Sequence, residues 1–230
     1  MMLQQTSRNK ISYYFFFLII LTTLHNTQIV NFLKKYFEIK EVVVLGVNPH
    51  EKLKIINTLD INDYTNLLFL KKNNLEYKMN TFKFIDSYNI KKLYPSVLEV
   101  SLTKTDILAI TYINGYKYFV GENGKFINFE EIKIKKKLPI IFGKFSIINF
   151  LDLQKILKDN SINIFNIDNF FFHKNGRWDL KFNNGVILML PKKNIEIAIK
   201  NYKEILKLNN LSNNKKYDLR ISNRIVISHE

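Results

Sequence analysis

Residues 177–191 read RWDLKFNNGVILMLP, a pattern that predicts a β-hairpin. Apolar and polar residues alternate before Asn184-Gly185, and a short apolar run over 186–190 follows it. This dipeptide is typical of the tight turns that join antiparallel strands. We therefore expect strands over 177–182 and 186–190, with an antiparallel sheet built around them.

Turn signals of the same kind recur upstream of this hairpin. Asn114-Gly115 and the segment 121–124 each lie between alternating stretches, so further hairpins are expected there. Residues 163–173 add another apolar strand. From residue 105 to residue 230 the sequence favours a mostly antiparallel β domain.

Two helices are expected to pack on this sheet. Residues 146–159 carry apolar residues at helical spacing and begin with Ser146, a residue type that caps helix N-termini. Residues 194–208 show the clearest helical pattern in the chain. Their apolar stripe consists of Ile195, Ile199, Tyr202 and Leu206.

The chain ends in two predicted strands, 217–221 and 224–228, joined by a turn at Ser222-Asn223. A last strand has a neighbour on one side only unless the sheet closes. Its other edge then offers free N–H and C=O groups to an extended segment of a partner. The residue pattern alone does not decide between such a binding edge and an edge protected by Arg224 and by strand twist.

Upstream of residue 105 the predicted elements follow the order β-α-α-β-β, which indicates a smaller domain over 36–104. Tyr94-Pro95 separates the last two strands, because proline cannot donate a ladder hydrogen bond. The expected strands cover 37–45, 82–92 and 97–104, and the expected helices cover 50–57 and 64–79.

The first 30 residues indicate a membrane anchor. Residues 11–24 read ISYYFFFLIILTTL, and continuing to Val30 gives about the 20 mostly apolar residues that a bilayer core requires. We expect a cytoplasmic tail over 1–10 and a single transmembrane helix over 11–30. A removed signal peptide is the alternative, but an A-x-A-like cleavage site is missing. Basic residues on both flanks leave the orientation open.

Composition and motifs favour a binding protein over an enzyme. The net charge of +15 comes from lysines spread over the whole chain, so a dedicated nucleic-acid surface is not indicated. His50-Glu51 begins a zinc-protease motif, but Lys54 stands where the second histidine is needed. We predict no catalytic residues, no metal site, no cofactor and no small-molecule substrate.

The final third of the chain resembles the FtsQ/DivIB family of bacterial cell-division proteins. Residues 177–191 are similar to that family's R-W-D-L…N-G-V…L-P hairpin. Asp218-Leu219-Arg220 and the segment 224–227 are similar to its closing D-L-R…R-V-V-V. Tyr94-Pro95 and its neighbours follow the family's V-x-R-x-x-P-x-x-L-x-I spacing, with Lys92 in place of the arginine. The β-α-α-β-β order matches the family's POTRA domain.

This resemblance implies a single-pass inner-membrane protein with a cytoplasmic N-terminus, periplasmic domains and an α+β fold. It also implies a non-enzymatic scaffold at the division septum that recruits FtsB and FtsL and helps control septal peptidoglycan synthesis. FtsB would be captured by strand addition, and other division proteins would meet the POTRA domain. The implied partner-binding residues are Tyr217, Arg220, Ile221, Arg224, Ile225, Val226, Ile227 and Ser228. A POTRA-containing factor for outer-membrane or secretion assembly is the alternative function.

Overall fold

The computed structural model describes residues 5–24, 27–61, 65–208, 215–221 and 224–229. The chain forms two compact units. The first consists of Met1–Thr81 and Ser87–Thr103, and the second consists of Phe82–Asp86 and Lys104–Glu230.

Two helices precede the first sheet: α1 (Gln5–Leu24) and α2 (Thr27–Tyr36). Among the described residues, no single helix is both long and apolar enough to cross a membrane. Residues 10–22 of α1 meet that requirement only together with α2, and the two helices are bent by 71° at the break between them. The single transmembrane helix expected over 11–30 is therefore not confirmed, and its residues 25 and 26 lie outside the described part of the chain.

The first unit confirms the predicted β-α-α-β-β order. Its central strand β3 (Val97–Lys104) lies between β1 (Glu41–Leu45) and β2 (Ile85–Leu93), and β1 runs parallel to β3. Buried residues from both helices and from the sheet, such as Ile55, Met79 and Leu98, form its core. The elements are β1 (Glu41–Leu45), α3 (Pro49–Leu59), α4 (Lys72–Met79), β2 (Ile85–Leu93) and β3 (Val97–Lys104), of which residues 85, 86 and 104 belong to the second unit.

The helix predicted over 64–79 is wrong in its first half, because α4 begins only at Lys72. Residues 65–67 pair with the segment before β1 instead. The Ile39 N–H donates to the Thr65 carbonyl at 2.9 Å, and the Leu67 N–H donates to the Phe37 carbonyl at 2.7 Å. Leu67 is completely buried here, and its N–H and the Thr65 carbonyl take part in this pairing instead of in a helix.

The second unit is built on one nine-stranded sheet. Its strand order is β12-β11-β10-β9-β8-β7-β4-β5-β6. The strands are β4 (Ile107–Ile113), β5 (Tyr116–Gly121), β6 (Phe126–Asn128), β7 (Ile140–Phe142), β8 (Ile167–Phe172), β9 (Trp178–Phe182), β10 (Ile187–Met189), β11 (Lys215–Asp218) and β12 (Val226–His229). The predicted hairpins around Asn114-Gly115 and Asn184-Gly185 are present as β4–β5 and β9–β10.

Most of the neighbouring strands run antiparallel, as expected for this domain. The exceptions are β7, which is parallel to both β4 and β8, and β10, which is parallel to β11. The strand predicted from residue 163 starts later, because Asn163 caps a short 3-10 helix, Ile164–Asn166. Its side-chain oxygen accepts a hydrogen bond from the Phe165 N–H at 3.0 Å.

Two helices, α5 (Ile147–Asp159) and α6 (Ile195–Leu208), share one buried cluster with the large sheet. Ser146 caps α5 as predicted, and its hydroxyl accepts a hydrogen bond from the Asn149 N–H at 3.2 Å. The stripe predicted for α6 is wrong at its end, because Leu206 is 40% exposed. Four phenylalanine rings surround Trp178, with centroids 4.7 to 6.3 Å away: Phe145, Phe150, Phe170 and Phe172.

Candidate partner-binding edge

The large sheet ends on one side at β12, and no described strand pairs with its outer edge. The two final strands differ from their predicted bounds of 217–221 and 224–228. β11 stops at Asp218, whose carboxylate accepts a hydrogen bond from the Arg220 N–H at 3.0 Å and so turns the chain out of the strand. The predicted turn at Ser222-Asn223 lies outside the described residues.

The hydrogen bonds of β11 fix which peptide groups of β12 face outward. The Leu219 N–H donates to the Met189 carbonyl at 3.0 Å, toward β10. Successive residues of a strand direct their peptide groups to opposite sides, so Asp218 and Lys216 direct theirs toward β12. Their partners in the register are Val226 and Ser228. The intervening Ile227 therefore directs its N–H and C=O to the open edge of the sheet.

Side chains on the helix-covered face continue in register to this edge. Leu180, Leu188, Tyr217 and Ile227 pair in sequence across β9, β10, β11 and β12. The first three are completely buried, whereas Ile227 is 40% exposed. A segment added beyond β12 would therefore continue an apolar row that the chain itself leaves partly uncovered.

Tyr217 is a core residue, not a surface residue. Its ring lies 5.0 Å from the ring of Tyr202 on α6, and its hydroxyl has no hydrogen-bond partner among the described residues. Burial is the main cause that raises the pKa of Tyr202 to about 12, and the nearby Tyr217 adds to it. Burial also raises the pKa of Tyr217. Both hydroxyls therefore stay protonated at neutral pH.

Arg220 is held against Asp218. Its Nε donates to a carboxylate oxygen of Asp218 at 2.7 Å, and its terminal nitrogen donates to the other oxygen. The side-chain hydrogen bond lowers the pKa of Asp218, although burial opposes this effect. The same hydrogen bond raises the pKa of Arg220. The pair fixes the chain at the point where it leaves β11.

A pocket of about 130 Å³ lies beside this edge, between α6 and the segment that connects β11 to β12. Its lining includes the exposed apolar residues Ile197 and Ile221 together with the cations Lys193 and Arg224. Sequence analysis missed it. The available signal was Ile197, an isoleucine outside the apolar stripe predicted for α6.

The eight residues proposed from sequence thus all lie on β11, on β12 or on their connection, but with different accessibility. Tyr217 faces the core, and Ile225 is half-buried against it. The other six are exposed: Arg220, Ile221, Arg224, Val226, Ile227 and Ser228. Within the described residues, no group of three or more histidine, aspartate or glutamate side chains could hold a metal ion.

Two family descriptions match consecutive parts of this chain. The POTRA domain of FtsQ type matches residues 37–105, and the C-terminal domain of the cell-division protein FtsQ/DivIB matches residues 109–220. The chain belongs to the FtsQ/DivIB family. The two matches cover the first unit's sheet and most of the second unit, so the fold is that of a POTRA domain followed by the FtsQ/DivIB β domain. Both matches end before β12.

Similar curated proteins are also FtsQ proteins. FtsQ of Rickettsia prowazekii (strain Madrid E) is 26% identical over 200 residues, which cover 83% of this chain and 72% of that protein. FtsQ of Zymomonas mobilis is 22% identical over 188 residues, covering 80% of this chain and 60% of that protein. The major extracytoplasmic domain of DivIB from Geobacillus stearothermophilus matches 45% of this chain and 92% of its own, at 14% identity and a TM-score of 0.33.

The FtsQ/DivIB assignment decides the general function. Proteins of this family are scaffolds of the division machinery at the membrane of the division site, and they work with other division proteins. The chain therefore has a role in cell division. The alternative role in outer-membrane or secretion assembly shares only the POTRA domain and leaves the match at 109–220 without explanation.

Proposed function

We propose that this FtsQ-family protein captures a segment of FtsB by adding it as a further strand to the outer edge of β12. Through FtsB it would also recruit FtsL and help control septal peptidoglycan synthesis. The observation that carries this proposal is the open edge of β12, where Ile227 directs its peptide group outward. An added strand would satisfy that donor and acceptor with main-chain hydrogen bonds.

Two side-chain features favour the same edge. An apolar residue of the added strand would pack beside Ile227 and extend the row that ends there. The nearby pocket offers apolar walls and two cations, Lys193 and Arg224, so it suits a segment that combines apolar and acidic side chains. Among the exposed residues proposed for binding, Val226 and Ser228 lie on the opposite face of β12 from Ile227.

The proposal includes the membrane setting. Residues 1–10 would lie in the cytoplasm, residues 11–30 would anchor the chain in the inner membrane, and the domains over 36–104 and 105–230 would lie in the periplasm. The exposure of α1 supports this setting. All residues from Ile11 to Leu21 are exposed, and all of them except Ser12 are apolar or aromatic. No residue of the chain is assigned a catalytic role.

Ile227→Pro tests the strand addition with little damage to the sheet. Proline removes the outward N–H and places its ring at the open edge, while the hydrogen bonds of Val226 and Ser228 to β11 are retained. We expect co-purification of FtsB with the full chain from membranes to fall roughly tenfold or more, because the outward N–H is lost and the proline ring obstructs the approach of the added strand.

Ile227→Val is the matched control. It keeps the N–H and a β-branched side chain, so binding should stay within about twofold of the parent value. Thermal unfolding of both variants, followed by the fluorescence of Trp178, shows whether the second unit remains folded. Undiminished FtsB binding by a folded Ile227→Pro variant would show that this edge is not the binding site.

A further inference from the structure

The second helix, α2, separates apolar from polar residues completely. At 100° per residue, its apolar side chains cover an arc of about 160° and its polar side chains occupy the remainder. The apolar residues are Ile29, Val30, Phe32, Leu33 and Tyr36. The polar residues are Thr27, Gln28, Asn31, Lys34 and Lys35. α1 shows no such separation over its apolar part.

The apolar side of α2 is uncovered within the described part of the chain. None of its residues is buried, and its five apolar side chains are between 37% and 64% exposed. A continuous apolar face of this kind on a short helix is normally covered by something else. The covering surface must therefore come from outside the described residues.

We propose that α2 lies in the headgroup region of a bilayer that contains anionic lipid. Its apolar side would enter the boundary of the acyl chains, and Lys34 and Lys35 would face the lipid phosphates. This inference rests on the membrane anchoring that is part of the proposed function. It adds a second, surface-bound contact between the protein and the membrane.

Three features favour lipid over a protein partner. α2 begins three positions after the last residue of α1, so an inserted α1 places it at the membrane surface. It carries two lysines and no acidic residue, which complements an anionic surface. Its ten residues span about 15 Å, less than the three to four heptads that a coiled-coil seam needs.

α2 is also fixed to the part of the first unit that follows it. The side-chain amide of Asn66 donates to the Lys34 carbonyl at 3.0 Å, and the Phe37 N–H donates to the Leu33 carbonyl at 3.1 Å. The rings of Tyr36 and Phe37 meet edge to face at 5.1 Å. Binding of α2 to lipid would therefore orient the first unit relative to the membrane surface.

A surface position for α2 shortens the membrane span to residues 11–24. These residues extend for about 21 Å as a helix, whereas a bilayer core is about 30 Å thick. Lys10 can lie within the edge of the hydrocarbon core while its long side chain extends to the headgroups. The bilayer can also thin locally around a short span. Both adjustments are available to an anchor of this length.

The absence of cysteine from the sequence permits a direct test. Single substitutions Leu33→Cys on the apolar side and Asn31→Cys and Lys35→Cys on the polar side would carry a nitroxide in the full chain. The chain would be reconstituted in vesicles of phosphatidylethanolamine and phosphatidylglycerol. We expect the label at 33 to lie about 5–10 Å below the phosphates, accessible to oxygen. The labels at 31 and 35 should be accessible to a water-soluble nickel complex.

A label at Phe16→Cys reports separately on the anchor. If the label at 16 lies in lipid and the labels at 31, 33 and 35 are all buried in the acyl chains to the same depth as one another, α2 is part of a continuous span and the inference is wrong. If those three labels all remain in water, α2 does not bind lipid and the inference is equally wrong. A label at 16 that remains in water would contradict the proposed anchoring as well.

Discussion

At the scale of single residues, the ion pair of Asp218 and Arg220 makes stability depend on pH. Arg220 lowers the pKa of the folded Asp218 carboxyl, so the pair's stabilisation is complete above the unfolded pKa, about 3.9. It is lost as the pH falls through the lower folded value. Asp218→Asn should reduce the free energy of unfolding by about 1 kcal/mol at pH 7. This reduction should shrink as the pH is lowered from 4 toward 3.

Urea unfolding followed by the fluorescence of Trp178 measures this effect, because the only tryptophan lies in the core of the second unit. Glu196→Gln is the control. Its partner Lys200 lies at 2.6 Å, but both side chains are more than half exposed, so this variant should not change stability measurably. An effect of Asp218→Asn that stayed constant from pH 7 to pH 3 would contradict the role given to the ion pair.

At the scale of elements, the end of β7 packs against the end of β8 through a glycine. Gly143 has a φ of +99°, and a Cβ at this position would lie 2.1 Å from the Phe172 carbonyl oxygen. Gly143→Ala must therefore separate the two strands, and we expect it to reduce the free energy of unfolding of the second unit by about 3 kcal/mol.

Gly115→Ala is the matched control for that substitution. Gly115 also has a positive φ, +82°, but among the described residues no atom beyond its two chain neighbours lies within 4 Å of the added Cβ. Only the conformational penalty applies there, about 1 kcal/mol. Urea unfolding monitored at Trp178 compares the two variants. Equal losses would show that the close approach of β7 and β8 does not determine stability at Gly143.

At the scale of the whole molecule, sequence patterns predicted most elements because they depend on local chemistry. Asn114-Gly115 and Asn184-Gly185 specify hairpins, and Ser146 specifies a helix start, through the conformations and hydrogen bonds of neighbouring residues. The first half of the helix predicted over 64–79 is wrong, because Thr65 and Leu67 pair with a segment about 28 residues away. Such pairings leave no periodic signal in the sequence.

The location of the candidate site could be predicted from the sequence, but the accessibility of its residues could not. The position of the last strand in the sequence suggested an edge, and the structure gives β12 that position among the described strands. The burial of Tyr217 depends on α6 packing over β11, which the sequence pattern of either element does not show. The outward direction of the Ile227 peptide group depends on the register across three strands.

Amide hydrogen exchange at Ile227 tests strand addition most directly. In the free full chain this amide should exchange rapidly, because it faces the open edge, whereas the amides of Val226 and Ser228 are protected by β11. Addition of the FtsB segment should slow exchange at Ile227 by roughly tenfold or more, with little change at Val226 and Ser228. Binding of FtsB that left the Ile227 amide exchanging at its free rate would contradict capture at this edge.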